Sequence, residues 1–319
     1  MPNRYNGLIN IYKEPGFTSN DVVAKLRGIL KQKKIGHTGT LDPDAVGVLV
    51  VCLGTGTKLV EMLTDHDKEY IAVVKLGVTT DTQDMSGEVL EESEVNVTRE
   101  DVLEAAKAFV GDYDQIPPMY SAIKQNGKKL YELAREGKEV ERKPRKVHIE
   151  AATILDDSHL QDEHLFTMEV KCSKGTYIRT LCHDIGLRLG CGAAMQHLTR
   201  TRVGAFSLES AITLSQVEEL RDNGSLDDMI QSPEFIFRDL DRIHVKDSAR
   251  ALLENGNSFR LNNVLNEDPD GVNDREYAKE MFKDGNSFRV YSEDDTFFGI
   301  YTYNEKTRLF NVDKFFYEK

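Results

Sequence analysis

Residues 36–44 read GHTGTLDPD: a histidine between glycines, small hydroxyl residues, and two aspartates around a proline. The stretch is not a P-loop, because the G-x-x-x-x-G-K-[ST] spacing and its lysine are absent. The glycines instead allow a tight turn from which His37 can project. Leu41 is apolar and predicts an anchor in the core. Pro43 fixes its own φ and biases Asp42 towards an extended backbone. A carboxylate held on such a loop, beside a long apolar segment, is partly desolvated; it becomes catalytic where a cation keeps it ionised. An Asx turn, in which Asp42 only accepts from nearby backbone N–H groups, fits the same spacing. Spacing alone does not choose between Asp42 and Asp44.

The chain on either side of this loop sets the fold class. Upstream, LINIY (8–12) reads as a strand ended by Glu14-Pro15-Gly16. Thr18 with Asp21 three residues on is a capping-box pattern, and Val22, Val23, Leu26, Ile29 and Leu30 follow at helical spacing. Downstream, AVGVLVVCLG (45–54) is apolar throughout, so strand and buried helix both stay open. Residues 57–63 predict a short helix, 68–76 (KEYIAVVKL) an alternating strand, and 101–110 a helix stopped by Gly111. Residues 112–146 break pattern at Pro117-Pro118 and Gly127 and predict a protruding loop–helix excursion. Residues 147–155 and 164–172 predict paired strands, and 179–189 a helix opened by SKGTY. A boundary falls near Asp241. Beyond it, 288–291, 297–303 and 309–316 read as short strands joined at SEDD and NEKT, a small β-meander or barrel.

The net charge of −13 argues against a nucleic-acid partner only if the charge is evenly spread. It is not. Residues 124–146 carry nine basic residues against four acidic ones, and Lys25, Arg27, Lys31, Lys33 and Lys34 form a second basic run. Acids gather at 81–104, 209–241 and 267–280. Segregated charge suits a polyanion bound on one face; solvated helix faces produce similar runs. Residues 241–319 hold twelve basic and sixteen acidic residues, so their charge gives no support for RNA binding. No run of 18 apolar residues occurs and no membrane helix is expected. The N-terminus lacks the layout of a signal peptide. The four cysteines show no C-x-x-C spacing, and Cys182, His183, Cys191 and His197 fit no zinc-ligand pattern. No metal is expected, and a reduced, cytoplasmic enzyme is the default.

Singly, Arg179 at a helix start, Tyr70 in a strand and His37 in a loop each fit structural roles. Five ordered blocks carry more weight: IYKEPGFTSNDVV, KKIGHTGTLDPDAVGVLVVCLGTGTKL, DKEYIAVVKLGVTTDTQDMSGEV, QIPPMYSAIKQNGKKLYELAREG, and CSKGTYIRTLCHDIG followed by MQHLTRTRVGAF. Together they resemble the TruB-type tRNA pseudouridine-55 synthases over nearly the whole chain. The resemblance implies an α+β fold with a mixed or antiparallel central sheet flanked by helices, the pseudouridine synthase fold, and a small C-terminal β-rich, PUA-like domain. It assigns residues 1–240 to catalysis, with 112–146 as a basic RNA-clamping excursion, and 241–319 to the second domain. By position, Asp42 is the catalytic aspartate and Arg179 its partner. Tyr70 stacks on the target uracil, and His37, Tyr177 and Leu198 line its pocket. Lys13 and Pro15 support the site. Lys124, Lys128, Lys129, Arg142, Lys143, Arg145 and Lys146 are expected to meet RNA. Many members have leucine at Asp44, serine or threonine at Val46 and proline at Val50.

The implied reaction breaks the N1–C1′ bond of uridine 55 in the tRNA T-arm, turns the uracil, and joins C5 to C1′. Atoms are conserved, so no cofactor is expected. Asp42 attacks C1′ or removes the C2′ proton; the sequence does not say which. The expected partner is tRNA, with no membrane, no obligate protein partner and a monomeric chain. Two other readings are a guide-RNA-dependent pseudouridylase and an RNA-binding protein that folds tRNA.

Overall fold

The computed structural model describes residues 3–125, 127–265 and 281–318. The acidic 267–280 stretch lies outside them.

The chain starts with strand β1 (Gly7–Lys13) and helix α1 (Ser19–Leu30). The Thr18 hydroxyl accepts from the Asp21 N–H at 3.1 Å, and the Asp21 carboxylate accepts from the Thr18 N–H at 2.9 Å. The expected capping box is thus formed. Short strand β2 (Ile35–His37) and strand β3 (Val46–Leu53) bracket the Asp42 loop. Every residue of β3 is buried. Leu49 and Val51 face one core, and Val48, Val50 and Cys52 the other. A strand covered on both faces loses its alternation, which is why periodicity left this segment open.

A 3-10 turn (Gly54–Leu59) leads into α2 (Val60–Thr64), so the helix expected at 57–63 begins as 3-10. Strand β4 (Lys68–Leu76) alternates as predicted. Hairpin β5 (Val78–Thr80) and β6 (Val89–Glu92) precedes α3 (Arg99–Lys107). That helix ends before Gly111, which instead opens β7 (Gly111–Gln115) at φ 104°. The excursion is therefore shorter than 112–146: its first residues belong to β7 and its last to β10 (Arg145–Asp156), and the two strands pair. Between them stand a hairpin, β8 (Lys124–Gln125) with β9 (Lys128–Lys129), and α4 (Leu130–Arg135). Strand β11 (Leu165–Cys172) pairs with β10 as expected, and α5 (Ile178–Leu189) follows.

Strand β12 (Ala193–Val203), centred in the sheet, carries no strand pattern in the sequence. Register shifts between Met195 and His197 and between Arg200 and Arg202 break the period of two that would have marked it. After β13 (Phe206–Ser207) come α6 (Leu214–Asn223), β14 (Arg242–Val245), α7 (Arg250–Glu254), β15 (Phe259–Arg260), β16 (Ser287–Ser292), β17 (Phe297–Asn304) and β18 (Leu309–Phe315).

The large sheet has nine strands in the order β1-β3-β12-β4-β11-β10-β7, with β2 on β3 and β13 on β12. Its pairs are antiparallel except β3 with β12. Helices α3 and α5 pack on the β4–β11 face through Val102, Ala105, Leu181 and Ile185, while α1 and α6 cover β1 and β3. Each large aliphatic side chain buried this way contributes roughly 1.5–3 kcal/mol. The second sheet, order β14-β16-β17-β18-β15, closes over an aromatic core of Phe259, Phe288, Tyr301 and Phe310. Ile300 and Phe316 pack it against Val48, Val50 and Phe237.

The parallel β3–β12 contact is set by Gly47, at φ +104°. A Cβ there would lie 2.2 Å from the Arg200 carbonyl oxygen. Gly47→Ala is expected to cost about 2–4 kcal/mol in urea unfolding, from left-handed strain and the clash together.

Candidate active site

Four chain segments converge around Asp42: its own loop, the start of α5, the turn after β5, and the root of the excursion. The loop is fixed from below. Leu41 is 3% exposed, as its apolar character predicted, and its N–H donates to Ser19 Oγ at 2.9 Å. The fully buried Lys13 ammonium donates to the carbonyls of Ala45 (2.6 Å), Pro43 (2.8 Å) and Glu14 (3.2 Å). Burial lowers its pKa to about 8, against the opposing pull of Asp44 and Asp42. Arg200 donates to the carbonyls of Gly39 and Thr40 from the other side, at 3.2 and 3.4 Å.

The loop presents Asp42 to Arg179, Nη2 to Oδ1 at 3.2 Å. Among the described residues the Asp42 carboxylate accepts from no backbone N–H, so the Asx-turn alternative does not form. Asp44 is exposed and, among the described residues, forms no ion pair with a guanidinium. The Asp42 side chain keeps 40% of its surface yet sits low between the converging segments. Burial pushes its carboxyl above the ordinary range; Arg179 opposes that, and Asp84 adds to it.

Arg179, whose side chain is 7% exposed, is held by three groups. Besides Asp42 it faces Asp84 Oδ2 at 3.5 Å, and its Nη2 donates to the Tyr120 carbonyl at 2.8 Å. Asp84 is itself fixed, accepting from Ser86 Oγ at 2.5 Å and from Thr82 Oγ1 at 2.8 Å. The Tyr120 hydroxyl donates to Asp81 Oδ2 at 3.0 Å, so the excursion's root is pinned over the arginine.

Tyr177 is the residue that opens α5, and it has no side-chain cap. Gln115, 1% exposed, replaces one: its Oε1 accepts from the Tyr177 N–H at 2.8 Å and its Nε2 donates to the Tyr177 carbonyl at 3.0 Å. Tyr70 on β4 and Leu198 on β12 lie in one apolar cluster with Leu41 and Ala45. Burial raises the Tyr70 hydroxyl pKa, with the Arg200 charge opposing. His37 ends β2, half-buried; burial and then Arg200 lower its pKa, and the Gly39 N–H donates to Nδ1 at 3.4 Å. The structure thus brings Asp42 to Arg179, with Tyr177 two residues before that arginine, and sets Tyr70 and Leu198 in the cluster that holds Leu41; His37 lies five residues before Asp42 at the start of the same loop.

The excursion's basic residues are more varied than a uniform patch. Lys128 pairs with Glu136 at 3.0 Å, and the Lys129 ammonium stands 5.3 Å over the Tyr131 ring. Arg142 is engaged internally, with the Pro117 carbonyl at 3.2 Å and Glu139 at 3.5 Å. Lys124, Lys143, Arg145 and Lys146 are exposed, the last two on β10. Asp84, Gln115, Tyr120 and Arg200 were not singled out from the sequence. Each sits inside one of the quoted blocks, but no local spacing marks it, because its partners are remote in the chain.

Two family models match adjoining parts of the chain. The TruB family pseudouridylate synthase N-terminal domain spans residues 27–178, and the tRNA pseudouridylate synthase B C-terminal domain spans 179–238. The chain is 51% identical over 315 residues to tRNA pseudouridine synthase B of Lachnoclostridium phytofermentans, covering 98% of this chain and 99% of that one. Against the protein of the same name from Alkaliphilus oremlandii it is 45% identical over 82% of this chain and 85% of the other. Among solved structures, a Cbf5-Nop10-Gar1 complex matches with a TM-score of 0.67 and 28% identity, covering 98% of this chain and 85% of that one. An H/ACA RNP bound to a substrate RNA containing 2′-deoxyuridine matches with a TM-score of 0.66 and 25% identity over the same shares.

Proposed function

Since the chain belongs to the TruB family of pseudouridylate synthases and is a tRNA pseudouridine synthase, we propose that it isomerises uridine 55 of the T-arm with Asp42 as the group that acts on the sugar. The observation that carries this is the Arg179–Asp42 pair at 3.2 Å on the GHTGTLDP loop. Burial raises the carboxyl's pKa; the guanidinium opposes that, favours the charged form and aims it. A base inside a folded T-arm must be flipped out, at a cost of a few kcal/mol. Stacking on Tyr70 returns roughly 1–3 kcal/mol and holds the detached uracil while it turns. His37, on its glycine-flanked turn, is placed to fill the space the base leaves. Tyr177 and Leu198 close the pocket. The isomerisation conserves atoms, so its stoichiometry asks for no cofactor.

We read residues 1–240 as the catalytic domain and 241–319 as a PUA-like domain, with the part of the excursion that stands between β7 and β10 as the clamp on the T-arm. No described helix is long and apolar enough to cross a membrane. We place the protein in the cytoplasm, acting as a monomer without an obligate protein partner. The test is tritium release from unmodified tRNA labelled at uridine C5, because forming the C5–C1′ bond expels that proton. Release by the pure chain supports a stand-alone isomerase. No release without added RNA or proteins would favour the guide-dependent reading.

RNA clamping carries its own expected outcome. Lys128→Ala combined with Lys129→Ala should weaken tRNA binding several-fold at low salt. The slope of log affinity against log salt should fall by about 1–2, from two lost phosphate contacts. An unchanged slope in a filter-binding titration would remove these lysines from the interface.

A further inference from the structure

Two buried cations lie beneath the GHTGT loop, and among the described residues neither has a carboxylate within ion-pair distance. Arg200 is 2% exposed, and its Nε donates to the Val48 carbonyl at 2.7 Å while the two Nη atoms reach the Gly39 and Thr40 carbonyls. Lys68, 7% exposed, donates to the carbonyls of Thr64 and His66, both at 2.6 Å. A Cβ on Gly39 would stand 3.6 Å from Arg200 Nη1 and 4.0 Å from Lys68 Cε, so both cations flank the same glycine.

Anchoring the loop explains the donors but not the charge. Neutral amide donors would meet the same carbonyls without the cost of burying an uncompensated cation. The placement suggests what the charge serves. Arg200 is the cross-strand neighbour of Tyr70, and its field acts on both Tyr70 and His37. Those are the two side chains assigned above to the base. Arg179 is not equivalent, because Asp42 and Asp84 already answer its charge.

On the isomerase reading, we propose that Arg200, with Lys68 beside it, is a positioning residue whose buried charge stabilises the uracil anion formed when the N1–C1′ bond breaks. Either route to cleavage makes that anion. If Asp42 attacks C1′, the new O–C1′ bond forms as the N1–C1′ pair leaves on the base. If Asp42 takes the C2′ proton, the C2′–H pair becomes the C1′=C2′ bond and N1 again keeps its pair. The anion then bonds C1′ through C5; on the first route the O–C1′ pair leaves with Asp42, and on the second the C1′=C2′ pair takes the proton back from Asp42 at C2′. Loss of the C5 proton and protonation at N1 complete the tautomerisation of the now neutral base. A fixed, desolvated cation near this developing charge needs no reorganisation at the moment of cleavage.

The test uses the leaving group. Fluorine at C5 withdraws electrons and stabilises the departing anion, so it should replace part of what Arg200 supplies. Single-turnover consumption is measured on two T-arm stem-loops, one with uridine and one with 5-fluorouridine at the target. Arg200→Gln should slow the uridine substrate about a hundredfold at saturating RNA, and the fluorinated one about tenfold less severely. RNA affinity should be unchanged, and Arg200→Lys should regain most of the rate. Equal losses on both substrates, or a loss confined to RNA binding, would overturn the proposal and leave Arg200 a purely structural anchor. If Arg200→Gln fails to fold, Lys68→Met is put through the same comparison with the same two outcomes. Inactivity of the wild type on both stem-loops and on tRNA would instead sink the isomerase reading itself.

Discussion

Asp42→Asn is expected to release no tritium above background from C5-labelled tRNA, a loss of at least about 10⁴-fold, as when a reacting group is deleted from a working site. Asp44→Asn should keep most of the wild-type rate. The contrast follows from geometry: Asp42 faces the Arg179 guanidinium at 3.2 Å, while Asp44 is exposed. The amide should bind tRNA normally. It should also fold at least as well at neutral pH. Burial holds the Asp42 carboxyl above its ordinary range, so the folded state binds its proton more tightly than the unfolded chain does. Stability linked to this group is therefore greatest at low pH and is lost as pH rises through the raised value. Asparagine removes that ionisation. An active Asp42→Asn enzyme would disprove the mechanism at its centre; an unfolded one would point to an unrecognised structural role.

The second large effect concerns Arg179. Arg179→Lys should lower kcat/KM by about 10²–10³, since a lysine cannot meet Asp42, Asp84 and the Tyr120 carbonyl from one planar fork. The pH profile should move as well. The reactive form of Asp42 is ionised, so the rate rises with pH through its raised pKa. Burial raises that pKa most, and Arg179 is the main opposing influence. Weakening the guanidinium pair leaves burial and the Asp84 charge less opposed, so the acid limb should shift to higher pH. A lowered rate with an unmoved limb would show that Arg179 acts on RNA or fold and not on the Asp42 charge.

Much of this was legible in the sequence because its causes are local. The Thr18–Asp21 capping box, the alternation of β4 and the anchoring of Leu41 each depend on residues a few positions apart, and each formed as read. The choice of Asp42 over Asp44 came from resemblance to a family, since D-P-D is locally symmetric in chemistry. Where local signals failed, the reason is identifiable. β3 is buried on both faces and so carries no period. β12 is bulged twice and so carries a broken one. Composition overstates the excursion's length because its ends pair with each other across the sheet edge, a long-range contact that composition does not record.

What the sequence determined by itself was the locally encoded elements, such as capped α1 and alternating β4, together with the loop that bears the carboxylate and the segregation of charge. What only the tertiary structure decided was which groups set that carboxylate's charge and aim. Arg179 comes from 137 residues away, and Asp84 and the Tyr120 carbonyl join it on the same guanidinium. Lys13 and Arg200 grip the loop through main-chain carbonyls, contacts to which any residue type could contribute. Electrostatic coupling depends on distance and burial in the folded chain, and neither is encoded in the spacing of residues along it.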